Sequence, residues 1–272
     1  MRSRRRIAPE RRIAQGRGLM DGATYRPFLE VGDVSSSGFT SAVPSKDGAR
    51  SEHVFSRLEK GALLLFRRDP TIVEYREQVA LWPIEETDEI ARSLGFRRLR
   101  DRTGKPYVVT TDFLLFREDG TREGVFVKPM EVLLNFPRES DKAAIEAEFW
   151  RRRGVGFRIL TDEELTDGLI TNLEIFLDHQ KPPEGFADPE RQRACLDALR
   201  TALDGSSYAP LRRVCLSLDW ATLSPEGSHI ALLKHLLSMR RLSMDLGRRL
   251  RAERPYRIGG RWLLPLEDQD AP

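Results

Sequence analysis

The chain has 272 residues, 40% of them hydrophobic, and a formal net charge of +3, enough material for two modest domains with buried cores. No apolar run approaches the roughly 20 residues needed to cross a bilayer, and the arginine-rich start has no apolar stretch after it, so neither a membrane span nor a secretory leader is expected. Cys195, Cys215 and four scattered histidines give neither a disulfide framework nor zinc-ligand spacing, and a cytoplasmic protein with free, buried thiols is expected.

The charge is unevenly spread. Arg2, Arg4, Arg5, Arg6, Arg11, Arg12 and Arg17 face only Glu10 before Met20, whereas Glu267, Asp268 and Asp270 make the tail acidic. Residues 1–50 therefore read as a basic arm that gains affinity for phosphates by counterion release, with Tyr25 to Val34 as a short segment able to pack on a neighbouring domain. Ser51 is the predicted N-cap of a helix carrying Phe55, Leu58, Ala62, Leu65 and Phe66 on one face, ended by Asp69-Pro70. Glu59 flanks that stripe.

Ile72 to Ile84 reads as a strand, Glu85 to Leu94 as a short helix or turn, and Tyr107 to Phe116 as a second strand. Glu118-Asp119-Gly120 supplies a turn, and Gly124 to Leu134 returns as a third strand. In such a hairpin Asp112 and Lys128 share a face only if the loop has an odd length or the ladder a bulge. Ala143 to Arg153 follows as a helix with Ile145, Phe149 and Trp150 inward. Its terminal Arg151, Arg152 and Arg153 suit either the helix dipole or DNA. Phe157 to Leu160 is a last strand, and Thr161 with Glu164 matches a capping box for the next helix. Residues 51–180 thus form an α/β unit. Beyond Lys181-Pro182-Pro183, helices over Arg191–Leu203, Pro210–Asp219 and Ser228–Arg241 precede a hairpin from Leu242 to Leu264, turning near Arg254-Pro255. Three helices and a hairpin suggest a winged-helix module over 181–272, used for DNA or as a protein adaptor.

The chemistry-bearing path is Glu59, Asp112 and Lys128. Phosphodiester hydrolysis needs a cation to hold the scissile phosphate and activate water, and a further positive group to offset charge in the transition state; two carboxylates and a lysine supply these needs. A lysine on an apolar strand needs an anionic partner, either a carboxylate pair or phosphate at a working site or, in a purely structural role, Asp112. Gln78 ends the strand beside this path and either positions the attacking water or belongs to a polar edge cluster. One position departs from the pattern, because Phe126 stands two residues before Lys128, where a third oxygen ligand is expected.

The ordered motifs resemble the TnsA family of transposon-end endonucleases. They are Gly16-Arg17-Gly18, Tyr25-Arg26-Pro27-Phe28-Leu29, Asp33-Val34 with Ser36-Ser37-Gly38, and Ser56-Arg57-Leu58-Glu59-Lys60. Asp69-Pro70, Glu77-Gln78, Thr111-Asp112-Phe113-Leu114, Val127-Lys128-Pro129, Ile145-Glu146, Phe149-Trp150, Arg153-Gly154 and Thr161-Asp162-Glu163-Glu164 complete the set. The resemblance implies a restriction-endonuclease-like mixed-sheet core followed by a mostly helical winged-helix domain. It maps the catalytic set onto Glu59, Asp112 and Lys128, with Gln or Glu expected at Phe126. It further implies cleavage of the 5′ strands at transposon ends, beside a DDE transposase and an AAA+ regulator. Mg2+ takes six oxygens at about 2.0–2.1 Å and keeps several waters, so Glu59, Asp112, the Val127 carbonyl and the phosphate suffice as ligands, with Mn2+ as a substitute.

Overall fold

The computed structural model describes residues 8–19, 24–33, 39–45, 48–100, 104–204, 209–242 and 244–251. The chain divides into two compact units, Met1–Leu165 and Thr166–Pro272, so the division falls ahead of the 180/181 boundary expected from the Lys-Pro-Pro break. The helix between these two positions packs with the later helices.

In the first unit, α1 (Pro9–Ala14) precedes an antiparallel pair, β1 (Ser41–Pro44) and β2 (Ser51–Val54). Next come α2 (Arg57–Arg68), β3 (Ile72–Ala80), α3 (Ile84–Ser93), β4 (Thr110–Arg117), β5 (Arg122–Val127), α4 (Met130–Asn135), α5 (Pro137–Arg151) and β6 (Gly156–Leu160). Strands β3-β4-β5-β6 form a four-stranded sheet in that order. The first two pairings are antiparallel and β5 runs parallel to β6, giving the mixed sheet expected from the sequence.

Two elements differ from expectation. Ser51 opens strand β2 rather than a helix, and Ser56 is the cap: its hydroxyl accepts the Glu59 N–H at 3.0 Å. The strand expected to reach Leu134 ends at Val127, because Pro129 cannot donate to the ladder and instead stands before the first residue of α4. Only one of the expected box bonds forms: the Glu164 carboxylate accepts the Thr161 N–H at 3.1 Å, while the Thr161 hydroxyl accepts the N–H of Glu163, not of Glu164, at 3.3 Å. These close only a turn, and the helix proper starts after the N-cap Thr166.

The core explains the layering. Leu114 joins Val79, Ile90, Ile145, Phe149 and Trp150 in a cluster built with α3 and α5. The neighbouring Phe113 packs edge-on against Phe66 of α2 at 5.3 Å, as alternation along a strand dictates. At the end of α5, Arg153 grips Glu86 of α3 through two 2.7 Å bonds, and Arg151 and Arg152 pair with Glu148. Arg153, and Arg152 through Glu89 at 3.2 Å, tie α5 to α3, whereas the Arg151 pair is internal to α5.

Residues 8–33 are more than a charged arm. Arg17 is 1% exposed, with one guanidinium nitrogen 2.7 Å from Asp33 and another donating to the Pro27 carbonyl at 3.1 Å. Arg12 lies 3.3 Å from the same aspartate. This segment docks on the end of β3: the Ala80 N–H donates to Gly18 and the Phe28 N–H to Gln78. Gly18 has φ +71°, and a Cβ there would fall 2.5 Å from that of Phe28, so only glycine fits the clasp.

The second unit contains α6 (Asp167–Asp178), α7 (Pro189–Asp204), α8 (Leu211–Ala221) and α9 (Ser228–Ser238). Leu173, Leu199, Val214, Leu232 and Leu236 are buried in it, and His229 lies 2.7 Å from the Asp219 carboxylate that also caps the start of α9. Both thiols are free and buried. Most of the hairpin expected over 242–264 lies outside the described residues, so the unit is a helical one to which no wing is assigned.

Candidate functional site

Asp112 and Glu59 converge. Asp112 lies on β4 and Glu59 at the start of α2; each is 8% exposed. Glu59, which flanks the apolar stripe expected from the sequence, belongs to the buried face that continues through Ala62, Leu63 and Phe66. Its carboxylate reaches back to accept the Phe55 N–H at 2.9 Å while Ser56 accepts its own N–H. The chain entering α2 therefore fixes the side chain.

The hairpin meets the parity requirement. Phe116 faces Arg122 and Phe113 faces Val125, and the Arg117 N–H donates to Thr121 across a three-residue loop whose Gly120 has φ +79°. That register makes Asp112 level with Phe126. The ladder stops at Phe113, and the next inward donor, the Val127 N–H, is taken at 2.7 Å by the Asp112 carboxylate. Val127 thus meets Asp112 through its main chain.

Gln78 joins the two acids. Its amide nitrogen makes long contacts to Glu59 (3.5 Å) and Asp112 (3.4 Å), and its amide oxygen accepts from the Thr110 hydroxyl at 3.1 Å. Its φ of +53° is a left-handed conformation that costs a non-glycine residue about 1–2 kcal/mol. Phe28 holds its carbonyl at 3.1 Å, so the clasp of the preceding segment steadies the turn that aims this amide. Glu77 belongs elsewhere, paired with Arg50 at 2.6 Å.

Lys128 follows the last residue of β5 and is partly exposed. Its ammonium pairs with Glu139 of α5 at 3.1 Å, rather than with Asp112 as the structural alternative held. Phe126 is fully buried, and two ammonium groups approach its ring: Lys128 at 5.4 Å and Lys142 at 5.0 Å from the centroid. The ligand position is therefore a cation–π platform.

Lys142 and Glu146 are what the sequence reading missed. Both lie on α5 in register with Ile145 and Phe149, at i, i+3, i+4 and i+7, which is the signal that a charged pair enters the buried stripe. Lys142 Nζ stands 3.6 Å from Glu146, whose other oxygen accepts the Thr111 hydroxyl at 2.8 Å. Trp150 in turn donates its indole N–H to Thr111 at 2.8 Å.

The electrostatics are those of carboxylates short of positive charge. Burial, then Asp112, pushes Glu59 up to about 8. Burial raises Asp112 as well, against Lys142, the Val127 N–H and Lys128. Glu146 is pushed up to about 8 by burial, against Lys142. Burial works against the Lys142 charge, but Glu146 and Asp112 outweigh it and its pKa is raised. Two adjoining desolvated carboxylates, with main-chain atoms beside them, suit a hard divalent cation. Among the described residues no group of three or more His, Cys, Asp or Glu side chains is suited to a metal, so the donor set fits an ion that draws its remaining oxygens from main chain, water or substrate. A cavity of about 980 Å³ lined by Tyr25, Arg50, Glu52, Arg67, Tyr75 and Arg76 includes none of the site residues.

No helix among the described residues is long and apolar enough to cross a membrane. A family model described as TnsA-like endonuclease N terminal matches residues 69–162, a stretch that holds Asp112, Phe126, Lys128 and Lys142 but begins after Glu59. The transposition protein TnsA of transposon Tn7, from Escherichia coli, is 33% identical over 166 residues. That match covers 60% of this chain and 60% of the relative, so the chain spans less than two thirds of that protein. By these matches, and with the mixed sheet they lie on, residues 69–162 are similar to the TnsA-like endonuclease N-terminal family.

Proposed function

We propose that the protein is a divalent-metal-dependent DNA endonuclease subunit of a heteromeric transposase, hydrolysing the 5′ strands at transposon ends. The observation that carries this reading is the convergence of Glu59 and Asp112 around the Gln78 amide. Mg2+ or Mn2+ bound by these carboxylates and the Val127 carbonyl would supply a Lewis acid for the phosphate and a more acidic water. The chain's own residues do the rest. Ser56 and Phe55 lock the Glu59 rotamer, the Val127 N–H and Gln78 orient Asp112, and Lys128 exchanges Glu139 for the phosphate and offsets its developing charge. Arg2, Arg4, Arg5 and Arg6 add sequence-independent attraction for DNA.

The kinship to a Tn7 transposition protein supports partners of that setting: end DNA, a DDE transposase and an AAA+ regulator, the last engaged by the helical second unit. In a reaction reconstituted with the transposase and end DNA, Asp112→Ala is expected to abolish 5′-strand cleavage while complexes still assemble, because a metal ligand serves chemistry more than docking. Cleavage by that variant would refute the assignment. A second reading, an adaptor with weakened chemistry, draws on the Phe126 ring; it is the outcome if wild-type protein binds no divalent ion and cuts nothing while the transposase is active.

A further inference from the structure

Lys142 is a largely covered cation, its side chain 17% exposed, that the nuclease reading does not use. Its surroundings are specific: Glu146 at 3.6 Å on one side, the Phe126 ring at 5.0 Å on another, and Thr111, the residue next to Asp112, bonded to the same glutamate. One Glu146 oxygen is buried and makes no hydrogen bond, so its compensation comes from the ammonium charge alone. Each alternative role is poorly served. A merely structural ion pair gains little from burial beside a third carboxylate, since desolvating an ammonium is costly and an apolar residue of similar size packs as well. A phosphate-binding lysine needs access, and Lys142 is less exposed than Lys128, with its ammonium held between Glu146 and the Phe126 ring.

We propose that the Lys142 ammonium is the resident second cation of this site, a positioning residue fixed beside Asp112 and Glu146 in place of a second metal ion. The arrangement rests on the nuclease reading and gives it a stoichiometry. Two-metal sites hold ions about 3.5–4 Å apart and need ligands for both. Here the ligand position at 126 carries a ring, and a ring retains an ammonium but not Mg2+ with its tightly held oxygens. Lys142 neutralises the acids continuously, so a single bound ion completes the charge balance. Phe126 and Lys142 form one device: the ring excludes the metal's ligand and seats the cation that replaces it.

The test is Mn2+ binding to the full chain, read by calorimetry and by the paramagnetic resonance of the bound ion, with no DNA and no turnover. Wild type is expected to bind one ion per chain, and Lys142→Arg likewise one. The double variant Phe126→Gln with Lys142→Gln, in which an amide oxygen replaces the ring and the resident cation is gone, is expected to bind two, with spin–spin broadening between neighbouring ions. Two ions in the wild type would overturn the proposal while leaving the nuclease reading intact, and this measurement needs no variant to fold. One ion in both wild type and the double variant would overturn it as well. No ion in the wild type would remove the metal reading of the whole site, and the proposal with it.

Discussion

The Lys128 ammonium is held 3.1 Å from the Glu139 carboxylate, and both side chains are about one-third exposed. The cation proposed to meet the phosphate is therefore partly neutralised in the free protein, by a pair that water and salt weaken. In Glu139→Gln the lysine is released and a phosphate-repelling charge is lost. Binding to end DNA in anisotropy titrations should tighten about two- to fivefold at low salt, with a log K versus log [salt] slope steeper by about one. An unchanged slope would place Lys128 outside the DNA footprint.

Gln78 combines a strained backbone with a useful amide. Gln78→Gly and Gln78→Ala both remove the bridge between Glu59 and Asp112, but only glycine accepts φ +53° without strain. In urea unfolding the glycine variant should exceed the alanine variant by about 1 kcal/mol. Both should bind Mn2+ more weakly than wild type. Equal stabilities would show that the left-handed turn relaxes once the side chain is gone.

The buried acids set a pH dependence. Glu59 moves from an ordinary 4.5 to about 8 in the fold, and Glu146 from 4.5 to about 8. Below about 4.5 both states are protonated and the contribution to stability is fully present. Between these values the native state keeps protons that the unfolded chain has released, so stability declines as pH rises and the contribution is gone above about 8. The slope is at most about 1.4 kcal/mol per pH unit for each group. Glu59→Gln should flatten this decline in metal-free protein, and Mn2+ should raise the melting temperature more at pH 8 than at pH 6. A decline equal to that of wild type would contradict the burial assigned to Glu59.

Arg17 separates folding from DNA affinity. Arg17→Ala leaves Asp33 with Arg12 and removes a donor from the Pro27 carbonyl, a loss expected to cost about 1–3 kcal/mol. The salt slope of DNA binding should stay as in wild type. Replacing Arg2, Arg4, Arg5 and Arg6 by alanine should do the opposite, leaving the melting temperature unchanged and flattening the slope. A melting temperature unaltered by Arg17→Ala would refute the clasp.

Where the sequence was legible, one short stretch carried the information. Asp112 stands out as a lone acid among Val, Thr and Phe, and the hairpin parity reduced its pairing to a question of loop length. Glu59 is legible as a site residue from its path with Asp112 and Lys128, although Ser51 reads as the cap; Ser56, three residues before it, is the signal that sets the helix start and turns Glu59 inward. Lys142 and Glu146 were overlooked because a charged residue in an apolar stripe reads as solvated, whereas inside the stripe each cancels the cost that makes the other improbable. The end of β5 was overrun because apolar residues after Pro129 continue the strand pattern into a helix. The left-handed turn at Gln78 has no local signal, since it is held by Phe28 from far upstream.

That clasp bears on the extent of the proposed catalytic module. The family-matched stretch starts at residue 69, yet the centre draws Glu59 from before it and relies on Gly18 and Phe28 to set the conformation of Gln78. A fragment beginning at 69 would retain Asp112, Lys128 and the sheet but would lose one of its two acids and the strap that orients the other. Engineers seeking a portable cutting unit should therefore keep everything from α1 onward, because the working part is contiguous in space and not along the polypeptide.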